Sequence, residues 1–196
     1  MAQVLGYTTM DSPIGPLLIA STKNGLCFIE FGDGEQALSS LQRWCRKTFM
    51  GVPISRDDQG NQSVREQLEE YFAGTRKTFD IPLDMYGTPF QKAVWTELTR
   101  IPYGETRSYK EIALSIGAAK AVRAIGGANN RNPLPIVVPC HRVIGADGSL
   151  VGYGGGLPIK RHLLQWEARH AQEQAGVGTD RRNAEMLPAT DRGGTS

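Results

Sequence analysis

Residues 135–143 read PIVVPCHRV and place a thiol beside an imidazole at the end of an apolar run. The run before Pro139 predicts a short buried strand or extended segment that stops at this proline, because proline has no backbone donor. Cys140 would then lie at a strand end and could face a pocket. Free cysteine is also among the most buried residue types, so the pair alone fits a reactive thiol and a small core side chain equally well.

A reactive Cys140 needs a base or a positive group nearby, because the thiolate is the nucleophile and a free thiol is mostly protonated at neutral pH. His141 and Arg142 follow it directly. Neighbouring side chains of an extended segment point to opposite faces, so His141 would act through a bend or a bridging water. The imidazole needs an orienting partner in turn, and Glu167 on the last predicted helix is the candidate carboxylate.

Composition limits the class of protein. The chain has 196 residues, 40% of them hydrophobic, which is enough for a core in one or two small domains. No stretch approaches the roughly 20 apolar residues of a membrane span, and the N-terminus does not resemble a signal peptide, so we expect a cytoplasmic protein. Three widely spaced cysteines without a Cys-x-x-Cys pair predict neither disulfides nor a structural zinc site.

Charge is unevenly distributed, although the net charge is only +2. Residues 1–90 carry 8 basic and 11 acidic side chains, whereas residues 91–170 carry 11 basic and 5 acidic ones. A basic half joined to an acidic half is compatible with a polyanion site in the second half, although a modest excess of charge is more often a solvated face.

Residues 1–85 predict an α+β unit. Apolar runs at 16–20 and 26–31, separated by a Lys-Asn-Gly turn signal, predict a β-hairpin. Helical spacing covers 35–49 and 62–73, a polar loop lies between them at 55–61, and residues 79–83 predict another strand. We find no chemical motif in this unit.

Residues 86–170 predict a mainly helical domain. Thr88 can cap a helix whose first residue is Pro89, and Ser108 with Glu111 forms a capping box for the next helix. A second helix over 119–128 would follow a tight glycine turn and place Val122 and Ile125 in the core, which predicts a helix-turn-helix. Its outward surface would be nearly flat, with two basic side chains, Lys120 and Arg123, among the small residues Ala121, Ala124, Gly127 and Ala128. This surface suits close approach to DNA, but small residues also permit close helix packing, and a short helix-turn-helix pattern alone is weak evidence for DNA binding.

The chain ends in three further segments. Four glycines within residues 152–156 give backbone that can lie against a flat ligand. Residues 160–170 predict a last helix, and we expect the polar residues 171–196 to form a disordered tail. The predicted fold class is therefore α+β, with a small antiparallel sheet in the N-terminal domain and with a helix-turn-helix and Cys140 in the C-terminal domain.

Three motifs together resemble the O6-alkylguanine-DNA alkyltransferases. They are IPYG at 101–104, PCHRV at 139–143 and GYGGG at 152–156, and the likeness extends from Asp11 to Glu167. The Pro-Cys-His-Arg core is specific to this family in a way that a helix-turn-helix is not. The resemblance implies a stand-alone suicide repair protein without a cofactor, in which Cys140 takes the alkyl group from the O6 atom of guanine in double-stranded DNA and keeps it as a thioether.

The resemblance also implies roles for individual residues. A water would link Cys140 to His141, with Glu167 behind the imidazole. Arg123 would fill the stack vacated by a flipped base, from a helix in the minor groove. Tyr109 would donate to the flipped guanine, and Asn132 would brace the active-site turn. The base pocket would comprise the carbonyls of Cys140 and Val143, Tyr153, and the backbone N–H of Gly154.

Two departures from the family pattern bear on specificity and metal content. Some members have serine where this chain has Gly154, so bulkier lesions should fit more easily here. Some members bind zinc in the N-terminal domain, but the corresponding region offers only Cys27, and we predict no metal. We expect a monomer, and the sequence leaves open both cooperative binding along DNA and repair of O4-alkylthymine.

Three other functions compete with this one. A lesion sensor of the same fold would bind the flipped base without reacting. A cysteine hydrolase using Cys140, His141 and Glu167 would turn over and would need an oxyanion hole. A plain helix-turn-helix regulator would bind one DNA sequence and leave its thiol unmodified.

Overall fold

The N-terminal half is built on a four-stranded sheet. The computed structural model describes residues 4–184 and places β1 (Leu5–Met10), β2 (Leu17–Thr22), β3 (Gly25–Phe31) and β4 (Ile54–Arg56) in the order β3-β2-β1-β4. The predicted hairpin is confirmed as β2 and β3, which pair in antiparallel register. β4 runs parallel to β1, so the sheet is mixed and the predicted antiparallel sheet is wrong in this strand.

Two helices cover the sheet as the apolar spacing predicts. α1 (Glu35–Phe49) buries Ala37, Leu41 and Cys45 in a cluster with residues of β2 and β3. α2 (Gln62–Phe72) buries one face in the larger core cluster, including Leu68 and Tyr71. Both helices are therefore held by burial of an amphipathic face.

The strand predicted at 79–83 does not form. This segment makes an isolated bridge between Leu83 and Leu26 at the outer edge of β3, and its remaining residues are irregular. The Leu26 N–H donates to the carbonyl of Pro82, and the Asp84 N–H donates to the carbonyl of Leu26. Pro82 itself has no N–H to extend a ladder, which explains why apolar residues here give one bridge and no strand.

The C-terminal half is mainly helical, and its first two helices start where capping predicts. α3 (Pro89–Leu98) is capped by Thr88 with a capping box to Gln91. A two-residue strand, β5 (Arg107–Ser108), leads into α4 (Tyr109–Ser115), where Ser108 and Glu111 form the predicted capping box. These caps satisfy backbone N–H groups that a helix start otherwise leaves unpaired.

The second helix of the pair is displaced from its prediction. α5 spans Val122–Asn130, because residues 118–121 form a turn closed by the Ala121 N–H and the Ala118 carbonyl. Ile125 is buried as predicted, but Val122 is 37% exposed at the helix start. Ala128 faces inward and not outward, since it is 2% exposed and its carbonyl accepts from the Trp95 indole.

The segment before Cys140 is buried but is not a strand. Residues 131–139 form turns and bends, with Ile136 at a φ of 75° and the Val138 N–H donating to the Leu134 carbonyl. Prolines at 133, 135 and 139 remove the donors that a strand ladder needs, which explains why an apolar run folds into a turn here. A 3-10 turn (Cys140–Arg142) follows, and then β6 (Val143–Ile144), which pairs in parallel with β5.

The last helix is longer than its prediction. α6 spans Leu157–Ala184, so helix and not irregular chain follows residue 171. Residues 185–196 lie outside the described residues, and the disorder predicted there stays a prediction. No helix in the described part of the chain is long and apolar enough to cross a membrane.

The two halves share one core. The larger buried cluster takes Leu17, Ile19 and Tyr71 from the N-terminal half and Trp95, Ile125 and Leu163 from the C-terminal half. The 3-10 turn with Cys140 belongs to the same cluster. The confirmed α+β architecture therefore fixes the thiol between the sheet and the helices.

Candidate active site

Cys140 is a buried thiol at the start of the 3-10 turn, 3% exposed. Its N–H donates to the Val138 carbonyl at 2.7 Å, and its carbonyl accepts from Asn129 Nδ2 at 3.3 Å. Burial raises the pKa of the thiol to about 11, against the opposing influence of Asn132 and of the Lys160 charge. The resting side chain is therefore a protonated thiol at neutral pH and needs a base to become a nucleophile.

His141 and Glu167 form a buried pair, as predicted. Nε2 of His141 lies 2.8 Å from Oε1 of Glu167, and both side chains are fully buried. A carboxylate can only accept, so Nε2 carries the proton and Nδ1 keeps the lone pair. Nδ1 is buried without a hydrogen-bond partner among the described residues. Burial lowers the pKa of His141, and Glu167 opposes this only in part, so the imidazole is neutral and able to accept a proton.

Arg142 neutralises the charge of Glu167. Its Nε and one terminal nitrogen donate to the two carboxylate oxygens at 2.8 and 2.9 Å, and its other terminal nitrogen donates to the Ile101 carbonyl at 2.6 Å. Burial alone would raise the pKa of Glu167, but His141 and Arg142 together hold it well below its usual range. The carboxylate is therefore ionised at every pH at which the protein would act.

Two further donors reach Glu167 that sequence reasoning misses. The Tyr71 hydroxyl donates to Oε1 at 2.7 Å, and the Gly104 N–H donates to Oε2 at 3.1 Å. Gly104 belongs to the IPYG motif, which indicates a turn, and its φ of 77° fits that reading. Tyr71 lies on the apolar face of α2, where its spacing predicts a core side chain and gives no sign of a polar role.

Asn132 lies across the turn that holds the thiol. Its Nδ2 donates to the Val138 carbonyl at 2.8 Å, and its Oδ1 accepts from the Leu134 N–H at 3.0 Å. These bonds join the two sides of an irregular buried loop and satisfy backbone groups that would otherwise be unpaired. The contact is of the bracing kind that the resemblance implies.

A cavity of about 290 Å³ opens beside Cys140. Tyr153 and Gly154, two residues of the predicted base pocket, line it together with the thiol. A Cβ placed on Gly154 would meet its nearest neighbour, the Asn130 carbonyl oxygen, at 3.9 Å. The opposite wall comes from β3 and α1, which sequence reasoning does not connect with the site. These wall residues include Phe28, Glu30, Phe31 and Trp44.

Tyr109 and Val143, two further predicted site residues, are not among the residues that line this cavity. The Tyr109 hydroxyl donates to the Val151 carbonyl at 2.9 Å, and burial raises its pKa to about 12, so it remains a proton donor. The Val143 carbonyl accepts from Lys160, a fully buried lysine whose Nζ also donates to the Val151 carbonyl. Lys160 is a second polar group of the site that helical spacing does not reveal, and burial lowers its pKa to about 8.

The predicted DNA-facing residues lie on or just before α5. Lys120, Arg123 and Ala124 are exposed, whereas Ala121 and Gly127 are half-buried. Lys120 and Ala121 precede the helix, since Ala121 is its N-cap. The small-residue surface is therefore narrower than predicted, with Ala128 excluded from it.

Family models for 6-O-methylguanine DNA methyltransferase match both halves of the chain. The ribonuclease-like domain model matches residues 5–85, and the DNA binding domain model matches residues 89–169. The chain belongs to this methyltransferase family. The resemblance given by its three motifs is confirmed, and so is the α+β fold class.

Individual relatives of the family are similar over most of their length. A methylated-DNA--protein-cysteine methyltransferase of Methanosarcina acetivorans is 49% identical over 161 residues, covering 82% of this chain and 97% of that protein. A protein of the same name from Mycobacterium tuberculosis is 47% identical over 170 residues, covering 86% and 95%. The crystal structure of Mycobacterium tuberculosis OGT in complex with DNA superposes with a TM-score of 0.72 at 45% identity, covering 84% of this chain and 94% of that one.

In the described residues, no group of three or more histidine, cysteine or carboxylate side chains is placed to hold a metal ion. The three cysteines are free and buried.

Proposed function

We propose that the protein repairs DNA by direct reversal, transferring one alkyl group from O6-alkylguanine in double-stranded DNA to Cys140. The observation that carries the proposal is the buried thiol at a cavity, next in sequence to a neutral imidazole held by an ionised carboxylate. The sulfur attacks the alkyl carbon, a C–S bond forms, and the C–O6 bond breaks. The thioether has no hydrolysable bond, so each molecule acts once.

The thiol proton must leave as the C–S bond forms. Nδ1 of His141 has a free lone pair in the buried interior and is the acceptor we assign, through a bridging water. Glu167 orients the ring through Nε2 and stabilises the imidazolium that results. The charge of Lys160 favours the thiolate in the same step.

Guanine must gain a proton as it leaves. Tyr109 is the donor we assign, because its hydroxyl stays protonated up to about pH 12 and its bond to the Val151 carbonyl can be exchanged for one to the base. The imidazolium proton then replaces the proton that Tyr109 has given up, so the sum of the reaction is thiol plus alkylguanine giving thioether plus guanine. The Gly154 N–H would face O6, and the carbonyls of Cys140 and Val143 would accept from the exocyclic amine.

The damaged base must leave the duplex to reach a buried thiol, since a nucleophile has to approach the alkyl carbon in line with the departing oxygen. Arg123 is an exposed side chain of α5 without an ion pair among the described residues, and we assign it to the vacated stack. Small residues around it permit close approach to the minor groove. Phosphate contacts should dominate affinity, so binding should weaken as salt rises.

Intact-mass measurement tests the proposal. After incubation with a duplex containing O6-methylguanine, we expect one added methyl group, located on the peptide with Cys140 and absent from Cys140→Ser. Cys45→Ser is the matched control, because Cys45 is also a free buried cysteine and should leave the mass gain unchanged.

The same experiment separates alkyl transfer from each of the competing functions. A lesion sensor would bind the duplex without gaining mass, and a sequence-specific regulator would ignore the lesion. A hydrolase would release product beyond one equivalent and return to its original mass. Each of these results would contradict the proposed alkyl transfer to Cys140.

The remaining expectations belong to the same proposal. We place a domain boundary near residue 85 and expect a cytoplasmic monomer that needs no cofactor and no partner other than lesion-containing DNA. Analytical ultracentrifugation with and without duplex DNA measures the oligomeric state and any cooperative assembly.

A further inference from the structure

Tyr71 of α2 brings the N-terminal half into contact with the relay of His141 and Glu167. Its hydroxyl donates to Glu167 Oε1 across 96 residues of sequence, and both residues are fully buried. We propose that Tyr71 is a positioning residue of the proton relay, holding Glu167 so that His141 remains a neutral base. This inference rests on the proposed function and assigns a part in it to the half of the chain without a recognised chemical motif.

The Tyr71 hydroxyl is not needed for the packing of the Tyr71 ring. The ring contacts Phe72, Phe79 and Tyr103 at centroid distances of 5.2 to 5.9 Å, and phenylalanine would preserve these contacts. The bond to an ionised carboxylate is charge-assisted and therefore stronger than one between neutral groups. Burial, followed by the charge of Glu167, raises the pKa of Tyr71 well above its usual value, so the hydroxyl donates throughout the working pH range.

Tyr71 shares its acceptor with the catalytic imidazole. Oε1 accepts from the Tyr71 hydroxyl at 2.7 Å, from His141 Nε2 at 2.8 Å and from Arg142 at 2.9 Å. Each donor disperses part of the negative charge on that oxygen. Without Tyr71, the carboxylate would interact more strongly with the imidazole, and the charged imidazolium would be favoured.

The other groups around His141 act on it in different directions. Arg142 and Lys160 are cations that disfavour the imidazolium, whereas Glu167 favours it. Cys140 precedes His141 in the turn, and Tyr103 approaches Arg142 from the IPYG segment with its ring 5.7 Å from the guanidinium carbon. Tyr71 acts on this balance from α2 through Glu167, so its loss should raise the pKa of His141.

A pH profile of the single-turnover rate tests the inference. With an O6-methylguanine duplex between pH 5 and 9, Tyr71→Phe should move the acid limb to higher pH by about one unit, because a carboxylate that has lost this donor interacts more strongly with the imidazolium. At a given pH on that limb the rate should fall about tenfold. Above pH 8, where His141 is neutral in both proteins, the rates should agree within about threefold.

Tyr103→Phe is the matched control. Its hydroxyl is buried without a hydrogen-bond partner among the described residues, and its ring packs against Tyr71. Removing this oxygen makes the same change of one atom next to the relay and should leave the acid limb in place. An equal shift in both variants would overturn the assignment to Tyr71.

A second variant covers the case in which Tyr71→Phe does not fold. Incorporation of 3-fluorotyrosine at position 71 keeps every heavy atom of the phenol and strengthens its donation, so the acid limb should move to lower pH. A profile superimposable on that of the wild type in this variant, or in folded Tyr71→Phe, would overturn the inference. Absence of methyl transfer by the wild type at every pH would instead overturn the proposed function.

Discussion

At the scale of single residues, the site keeps its reactive groups uncharged at rest. Burial raises the pKa of Cys140 and lowers that of His141, so neither is ionised at neutral pH. A proton has to move only when substrate is present. This arrangement protects an irreplaceable thiol, because oxidants and metals react with the thiolate.

The buried neutral imidazole makes stability depend on pH. The pKa of His141 is lower in the folded protein than its unfolded value of about 6.5, so its contribution is fully present above that pH and is lost as the pH falls toward the folded value. We expect unfolding free energy to fall by up to about 1.4 kcal/mol per pH unit below pH 6.5. Urea denaturation from pH 7.5 to 5 should show a shallower decline for His141→Gln, and parallel curves would contradict the prediction.

The neighbouring residues Gly154 and Gly155 should respond differently to serine. At Gly154 a Cβ has space, so Gly154→Ser should change stability by less than about 0.5 kcal/mol. It should slow transfer from O6-benzylguanine more than from O6-methylguanine, because the hydroxymethyl group narrows the cavity. At Gly155 a Cβ would lie 2.6 Å from the Phe31 ring, and Gly155→Ser should cost about 1–3 kcal/mol. Thermal unfolding and rates with the two substrates measure these effects; equal costs at both positions would contradict the geometry.

At the scale of elements, the role in DNA binding proposed for α5 can be tested apart from the chemistry at Cys140. Arg123 is exposed on this helix, whereas His141 and Glu167 are fully buried. Arg123→Ala should therefore keep its reaction with free O6-methylguanine base and lose at least about tenfold on duplex DNA, where a vacated stack must be filled. Arg46→Ala, an exposed arginine of α1, should react normally with both. An equal loss of rate with free base and with duplex DNA would contradict the stacking role proposed for Arg123.

Elements defined by local signals are the ones that the sequence predicts well. The helix cap predicted at Thr88 and the capping box predicted at Ser108 depend on residues at most three positions apart, and both are present. The predicted start of α5 is wrong because the chain forms a turn at 118–121. This turn depends on a backbone hydrogen bond between Ala121 and Ala118 that the residue types do not indicate. β4 is missed because its three residues gain their partners only from distant β1.

At the scale of the whole molecule, the halves are joined by a shared core and by bonds to the active-site segment. The Ile29 N–H donates to the Pro133 carbonyl, and the Trp166 indole donates to the Tyr71 carbonyl. The sequence predicts Cys140, His141 and Glu167 from chemistry and resemblance. It does not predict Tyr71 or the wall from β3, because those contacts depend on how the halves pack.

A shared core implies cooperative unfolding. Trp44 lies in the smaller cluster of the N-terminal half and Trp95 in the larger one. In variants that keep only one of these tryptophans, fluorescence should report the same urea midpoint as far-UV circular dichroism. Separate midpoints would show that the halves unfold independently.

The hydrogen bond from Ile29 to Pro133 bears on the tendency of the protein to aggregate. β3 is an edge strand, and along its outer side Leu26 is paired with residues 82–84 while Ile29 is paired with Pro133. The opposite edge, β4, is only three residues long. Exposed strand edges are templates for aggregation, and short or covered edges suppress it. The loop that presents the nucleophile therefore also closes the sheet, and loosening it to gain reactivity would expose the protein to edge-to-edge association.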